Sequence, residues 1–145
     1  MRKIATLVLV VLLSAGTTAC SRDEDGLPEY ASLNDAYGAV DAVVNCDTNP
    51  PAPTEKVLHP PGPTGESRMC TDTLEVLWFD STTDRDKVFD LLASAAGLAG
   101  SVSFVKGRNW LVSDYSDLDT GVTKQRSVDM EAVARSLHGQ FVREG

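Results

Sequence analysis

Histidine is close to absent from this chain, and basic charge is scarce. His59 and His138 are the only two histidines among 145 residues, beside three cysteines. They do not supply the ligands of a closed zinc site, and no metal or cofactor is expected. Lys and Arg number 13 against 21 Asp and Glu, giving a net charge of −8. An acidic chain repels phosphate backbones and no basic stripe offsets this, so a nucleic-acid partner is not expected. The same balance argues against direct adsorption on anionic lipid, and solubility is enough to account for it. No nucleophile elbow, Gly-rich phosphate loop or Cys–His–Asn pattern is present, so no residue is assigned a catalytic role.

Long apolar runs are missing too. The run at the N-terminus extends only from Ile4 to Leu13, short of the ~20 residues of a membrane span. It follows Arg2 and Lys3 and leads through small residues to Cys20, the layout of a removable export signal over residues 1–19. Thr17-Thr18-Ala19-Cys20 resembles the bacterial lipobox, departing from it at Thr17, where an aliphatic residue is usual. The resemblance implies diacylglycerol on the Cys20 sulfur, cleavage before it, and a lipid-anchored chain on the extracytoplasmic side of a membrane. Two acyl chains hold a protein at a bilayer where one does not. Removing residues 1–19 takes away two cations and no acid, which moves the net charge from −8 to −10.

With Cys20 modified, Cys46 and Cys70 remain as an even pair in an oxidising compartment, where a disulfide is expected. It closes a loop of about 25 residues.

The rest reads as a flexible tether, 20–31, and one domain, 32–145. Ser21 to Glu29 is acidic, with Gly26 and Pro28 breaking any helix. Ser32 to Asn45 has helical periodicity in Leu33, Ala36, Tyr37, Val40, Val43 and Val44, with Ser32 as N-cap. Residues 47–69 hold all but one of the seven prolines and read as a surface loop clamped at its base by the disulfide; Glu55 to His59 is the one short strand candidate within it. Thr73 to Asp80 is nearly continuous in apolar residues, as a strand covered on both faces should be. Ser81-Thr82-Thr83 caps a helix with Val88, Leu91, Leu92, Ala95 and Ala96 on its stripe, stopped at Gly97 and Gly100. Ser101 to Lys106 and Asn109 to Ser113 flank a tight turn at Lys106-Gly107-Arg108-Asn109. Ser127 caps a last helix carrying Met130, Val133, Ala134, Leu137 and Phe141 on one face.

This order predicts an α+β fold: a small mixed sheet of about three strands in a split β-α-β, ferredoxin-like arrangement, with helices on one face.

Candidate chemistry is thin. Core packing is the default for Trp78 and Trp110; Trp110, beside the hairpin, is the candidate ligand contact for a sugar or peptide. Asp114, Asp117 and Asp119 offer the oxygens of a calcium site without its spacing. Asp119-Thr120-Gly121 spells the aspartic-protease triplet, but in polar surroundings instead of an apolar strand.

Layout and composition also resemble the small lipoproteins of high-GC Gram-positive bacteria, a likeness that implies no activity. The expected function is a non-catalytic envelope module that contacts another protein or a wall polymer. The alternatives are an envelope hydrolase using acids such as Asp80, Asp114 and Asp119, and a structural or inhibitory lipoprotein whose partner masks a sheet edge.

Overall fold

The structure, a computed structural model, describes residues 26–49, 65–118 and 127–145. The leader, Cys20 with the first half of the tether, the prolines of the 47–69 loop with the 55–59 strand candidate and His59, and Asp119 lie outside the described residues.

The described residues form eight elements in order: α1 (Leu33–Val44), β1 (Gly65–Met69), β2 (Leu74–Phe79), α2 (Thr82–Ala99), β3 (Val102–Lys106), β4 (Trp110–Asp114), α3 (Met130–Leu137) and β5 (Gln140–Glu144). Among the described residues, none of these helices is long and apolar enough to cross a membrane.

The first two helices start where side-chain oxygens can accept the orphan N–H groups of a first turn. Ser32 is extended (φ −156°) and its Oγ accepts from the Asp35 N–H at 3.2 Å. Ser81 does the same for Asp84 at 3.1 Å. α1 ends at Asn45 in the left-handed region (φ 57°) and buries Ala36, Tyr37 and Val40. α2 runs through Gly97 and ends at Gly100 (φ 136°). The expected stop at Gly97 fails because glycine in an exposed helix interior costs only ~1 kcal/mol.

The predicted mixed sheet of three strands is instead antiparallel throughout, with five strands in the order β1-β2-β4-β3-β5. Both additions replace predicted features. β1 occupies the end of the 47–69 loop; its sequence, Gly-Glu-Ser-Arg-Met, carries no apolar alternation because it lies at an edge with exposed Glu66 and Arg68. β5 replaces the last turn of the predicted helix. α3 is capped by Asp129, not Ser127: its Oδ1 accepts from the Ala132 N–H at 2.9 Å. The helix stops at His138, left-handed at φ 56°, so Phe141 lies on a strand. Gly139 lets the chain turn close over the sheet, since a Cβ there would lie 2.7 Å from Val105 Cγ1 and 3.1 Å from Trp110 Cη2.

Two split β-α-β units interlock in this sheet. β2 and β3 are joined by α2 with β4 between them, and β4 and β5 by α3 with β3 between them. Both crossovers step the same way across the sheet from strands that run in opposite directions. Crossovers of one hand must then lie on opposite faces. The packing agrees. Ala36, Tyr37 and Val40 of α1 with Met130, Val133, Ala134 and Leu137 of α3 cover Leu74, Val76, Val105, Trp110 and Val112. Val88, Leu92 and Ala96 of α2 cover Leu77, Phe79, Val102, Phe104 and Leu111 on the other side. The ferredoxin-like arrangement with helices on one face is therefore corrected. It would need the last strand beside β2, but β1 holds that place and β5 pairs with β3.

The tether is shorter than 20–31, because Leu27 to Tyr30 form a strap on the β3–β4 turn. Leu27 is buried. The Pro28 carbonyl accepts from the Arg108 N–H at 2.8 Å and the Trp110 indole N–H at 2.9 Å. The Tyr30 carbonyl accepts from Trp78 and from the Asn109 amide, both at 2.8 Å. Proline and acidic residues made this stretch look like linker, yet its carbonyls satisfy three buried or half-buried donors.

Cys46 and Cys70 are bonded, with Cα atoms 4.6 Å apart. The bond ties the end of α1 to the end of β1, where the Asp47 N–H also donates to the Cys70 carbonyl at 2.8 Å. Replacing both cysteines by alanine is expected to cost about 3 kcal/mol, mainly by freeing the unfolded chain. A urea midpoint that falls in the wild type on reduction, and not in the double variant, is the expected signature.

Candidate functional site

Trp110 opens β4 and is fully buried. Its indole stands over Gly107, where a Cβ would fall inside the ring, and tilts against Tyr30 at 5.4 Å between centroids. With its N–H given to Pro28 it presents no face to a ligand in solution, and the core reading of Trp110 replaces the ligand-contact reading. Trp78 is half-buried and spends its N–H on Tyr30.

Beneath the same turn, on the α2 face, lies a charged knot. Arg85 is fully buried; it donates to the Gly107 carbonyl and, through Nε, to Asp86 Oδ1 at 3.0 Å. Lys106 Nζ lies 3.9 Å from the same carboxylate and 4.3 Å from the centroid of the Phe89 ring. Buried cations hold position only when paired and hydrogen-bonded, and this knot fixes the hairpin turn to the start of α2.

The opposite end of the sheet carries the acids. Asp114 is buried and accepts from the N–H and hydroxyl of Ser116 at 3.1 and 2.9 Å, closing the turn after β4. Asp117 is exposed and pairs with Arg143 at 2.8 Å. Among the described residues no group of carboxylates, histidines or cysteines is arranged to hold a metal ion. Asp80 follows β2 at the hairpin end and is exposed, whereas Asp114 pairs in register with Leu74 at the far end of that strand. The two hydrolase candidates that are described thus do not converge.

Sequence reasoning missed one buried acid. Glu75, on the α2 face of β2, is 8% exposed and accepts from the Tyr115 hydroxyl at 2.9 Å. Burial, and then the Glu75 charge, push the Tyr115 phenol well above its ordinary range. A protonated Tyr115 is thus a donor fixed on Glu75, and the pair closes the end of the α2-side core. The one readable signal was an acid inside an apolar strand.

A further surface feature among the described residues is the outer edge of β5, one of the two edge strands of the sheet. The Phe79 N–H donates to Asn109 and the Gly107 N–H to Trp110, so odd residues of β4 bond to β2 and even ones to β3. Antiparallel alternation then turns Val102, Phe104 and Lys106 toward β5, and Gln140, Val142 and Glu144 toward β3. Phe141 and Arg143 are left with main-chain N–H and C=O groups facing outward. No described strand pairs with that edge. Beside it, between β5 and α3, lies a shallow depression lined by Glu131, Ala134, Arg135, His138, Gly139 and Phe141. Phe141 and Ala134 give it an apolar floor; Glu131 and Arg135, 3.7 Å apart, and exposed His138 give it a charged rim. Unpaired edge groups next to a helix-lined groove are the elements used for strand addition.

No family model, no curated protein and no solved structure matches the chain.

Proposed function

We propose that the protein is an exported, lipid-anchored and non-catalytic module of the cell envelope that works by contact with another envelope component, a protein or a wall polymer. The observation that carries this reading is the Cys46–Cys70 bond. Disulfides persist in oxidising compartments, which agrees with a leader ending in a lipobox-like Cys20.

The docked strap adds a constraint. Cys20 and Leu27 are seven residues apart in sequence, a distance that extended chain spans in at most about 25 Å. A diacylglycerol on Cys20 would therefore hold the domain against its own bilayer and limit its partners to that zone.

In-cell crosslinking of the tagged full-length protein, followed by affinity capture, tests the reading, with Cys20→Ser as control. A partner recovered from the wild type and lost with Cys20→Ser is expected. Recovery of the same partner from a Cys20→Ser chain that still fractionates with membranes would refute the anchored module.

A further inference from the structure

The outer edge of β5 has a sequence that complements itself. We infer that β5 pairs with β5 of a second copy of this chain, antiparallel about a two-fold axis through Val142, so that two sheets become one. A two-fold interface places the same patch on both subunits and must be self-complementary. Gln140-Phe141-Val142-Arg143-Glu144 meets that requirement in this register. Phe141 stands opposite Arg143 of the second copy, Gln140 opposite Glu144, and Val142 opposite itself. Phe141 and Arg143 are the residues whose main-chain groups face outward, so each such pair exchanges both hydrogen bonds. A guanidinium against an aromatic ring and an amide against a carboxylate are favourable cross-strand neighbours.

The other registers with outward groups opposed are poorer. Sliding by two residues one way sets Arg143 against Arg143, like charges face to face. Sliding the other way sets Arg143 against Gly139, which is buried under the sheet's own side chains. In the favoured register Arg143 of the second copy lies on the α3 side, since it shares the parity of Phe141, and meets the depression whose rim carries Glu131. Its present ion pair with Asp117 joins two exposed side chains and costs little to exchange.

The contact is small, which places the pairing among weak, concentration-dependent associations. Confinement to one bilayer would raise the effective concentration. The two straps then leave from opposite ends of the joined sheet, so the pair lies with its strands along the bilayer, within reach of both tethers.

Full-length Val142→Cys, purified in mild detergent and mildly oxidised, tests this. Directly opposed residues of a non-hydrogen-bonded pair have Cα atoms ~4.5 Å apart, within the span of a disulfide. A linked dimer is expected for Val142→Cys, well above the collision background set by Ser94→Cys on the exposed side of α2. Adding Arg143→Pro removes an outward N–H and no bond of the monomer's own ladder, and is expected to abolish the link while circular dichroism is retained. Arg143→Glu, which leaves the main chain intact, is expected to reduce the link, and Asp117→Asn to leave it in place. No dimer above background, or a dimer indifferent to both Arg143 variants, would overturn the proposal. So would a Val142→Cys mixed disulfide with a different protein in cells, which would assign the edge to another chain.

Discussion

Trp110→Ala is expected to lower stability by about 3–5 kcal/mol, the range for truncating a large buried aromatic. Three losses combine at this position. The side chain is fully buried between the sheet and the α1–α3 layer, so its removal opens a cavity that Val105, Val112 and Leu137 cannot fill without moving. The Pro28 carbonyl loses one of its two donors, and Tyr30 loses the ring it tilts against. The strap is thereby loosened as well as the core. Limited proteolysis near Leu27 should therefore accelerate in the variant beyond the change in its urea midpoint. Gly107→Ala reaches the same structure from the other side, because its Cβ would displace the indole. If Trp110→Ala unfolded at the wild-type midpoint, the ring would not be the keystone of this end of the sheet.

Arg85→Ala is expected to cost about 3–5 kcal/mol, and Arg85→Met about 1–3 kcal/mol. The Gly107 carbonyl loses a buried donor in both variants. The Asp86 side chain is 39% exposed and can rehydrate, so it does not become an uncompensated buried charge. What separates the variants is packing: methionine refills most of the space of the arginine stem, and alanine does not. Equal losses in the two would mean that the interaction is electrostatic alone. Urea midpoints at unchanged m-value make the comparison.

Much of the fold was legible because its signals are local. Ser32 and Ser81 cap the helices they precede, the apolar run of β2 is covered on both faces, and the turn at residues 106–109 joins two antiparallel strands. The misses share a cause. Leu137 and Phe141 stand four residues apart, a helical interval, while the left-handed break at His138 between them leaves no mark on apolar spacing. β1 and the Leu27–Tyr30 strap are held by main-chain bonds, which side-chain periodicity does not record. The placement of α2 and α3 on opposite faces follows from which edge receives β5, a long-range choice that becomes predictable only once β1 is known to occupy the other edge.

The site was less legible than the fold. For Trp110 the strand alternation made core packing the default, and the structure gives it to the core; its place beside the hairpin, which suggested a ligand contact, is covered by the strap. The edge of β5 was invisible because an unpaired N–H or C=O has no residue type. Glu75 was readable in principle, as an acid in an apolar strand, and its partner Tyr115 was not, since the two are 40 residues apart.

Whether this is an exported lipoprotein with an oxidised domain is tested most directly by one measurement: intact mass spectrometry, without reduction, of the protein extracted from the cells that make it. The expected species begins at Cys20, carries diacylglycerol there, partitions with membranes and has no free thiol at Cys46 or Cys70. A water-soluble chain that retains Met1 and has both thiols free would contradict the anchor and the compartment together.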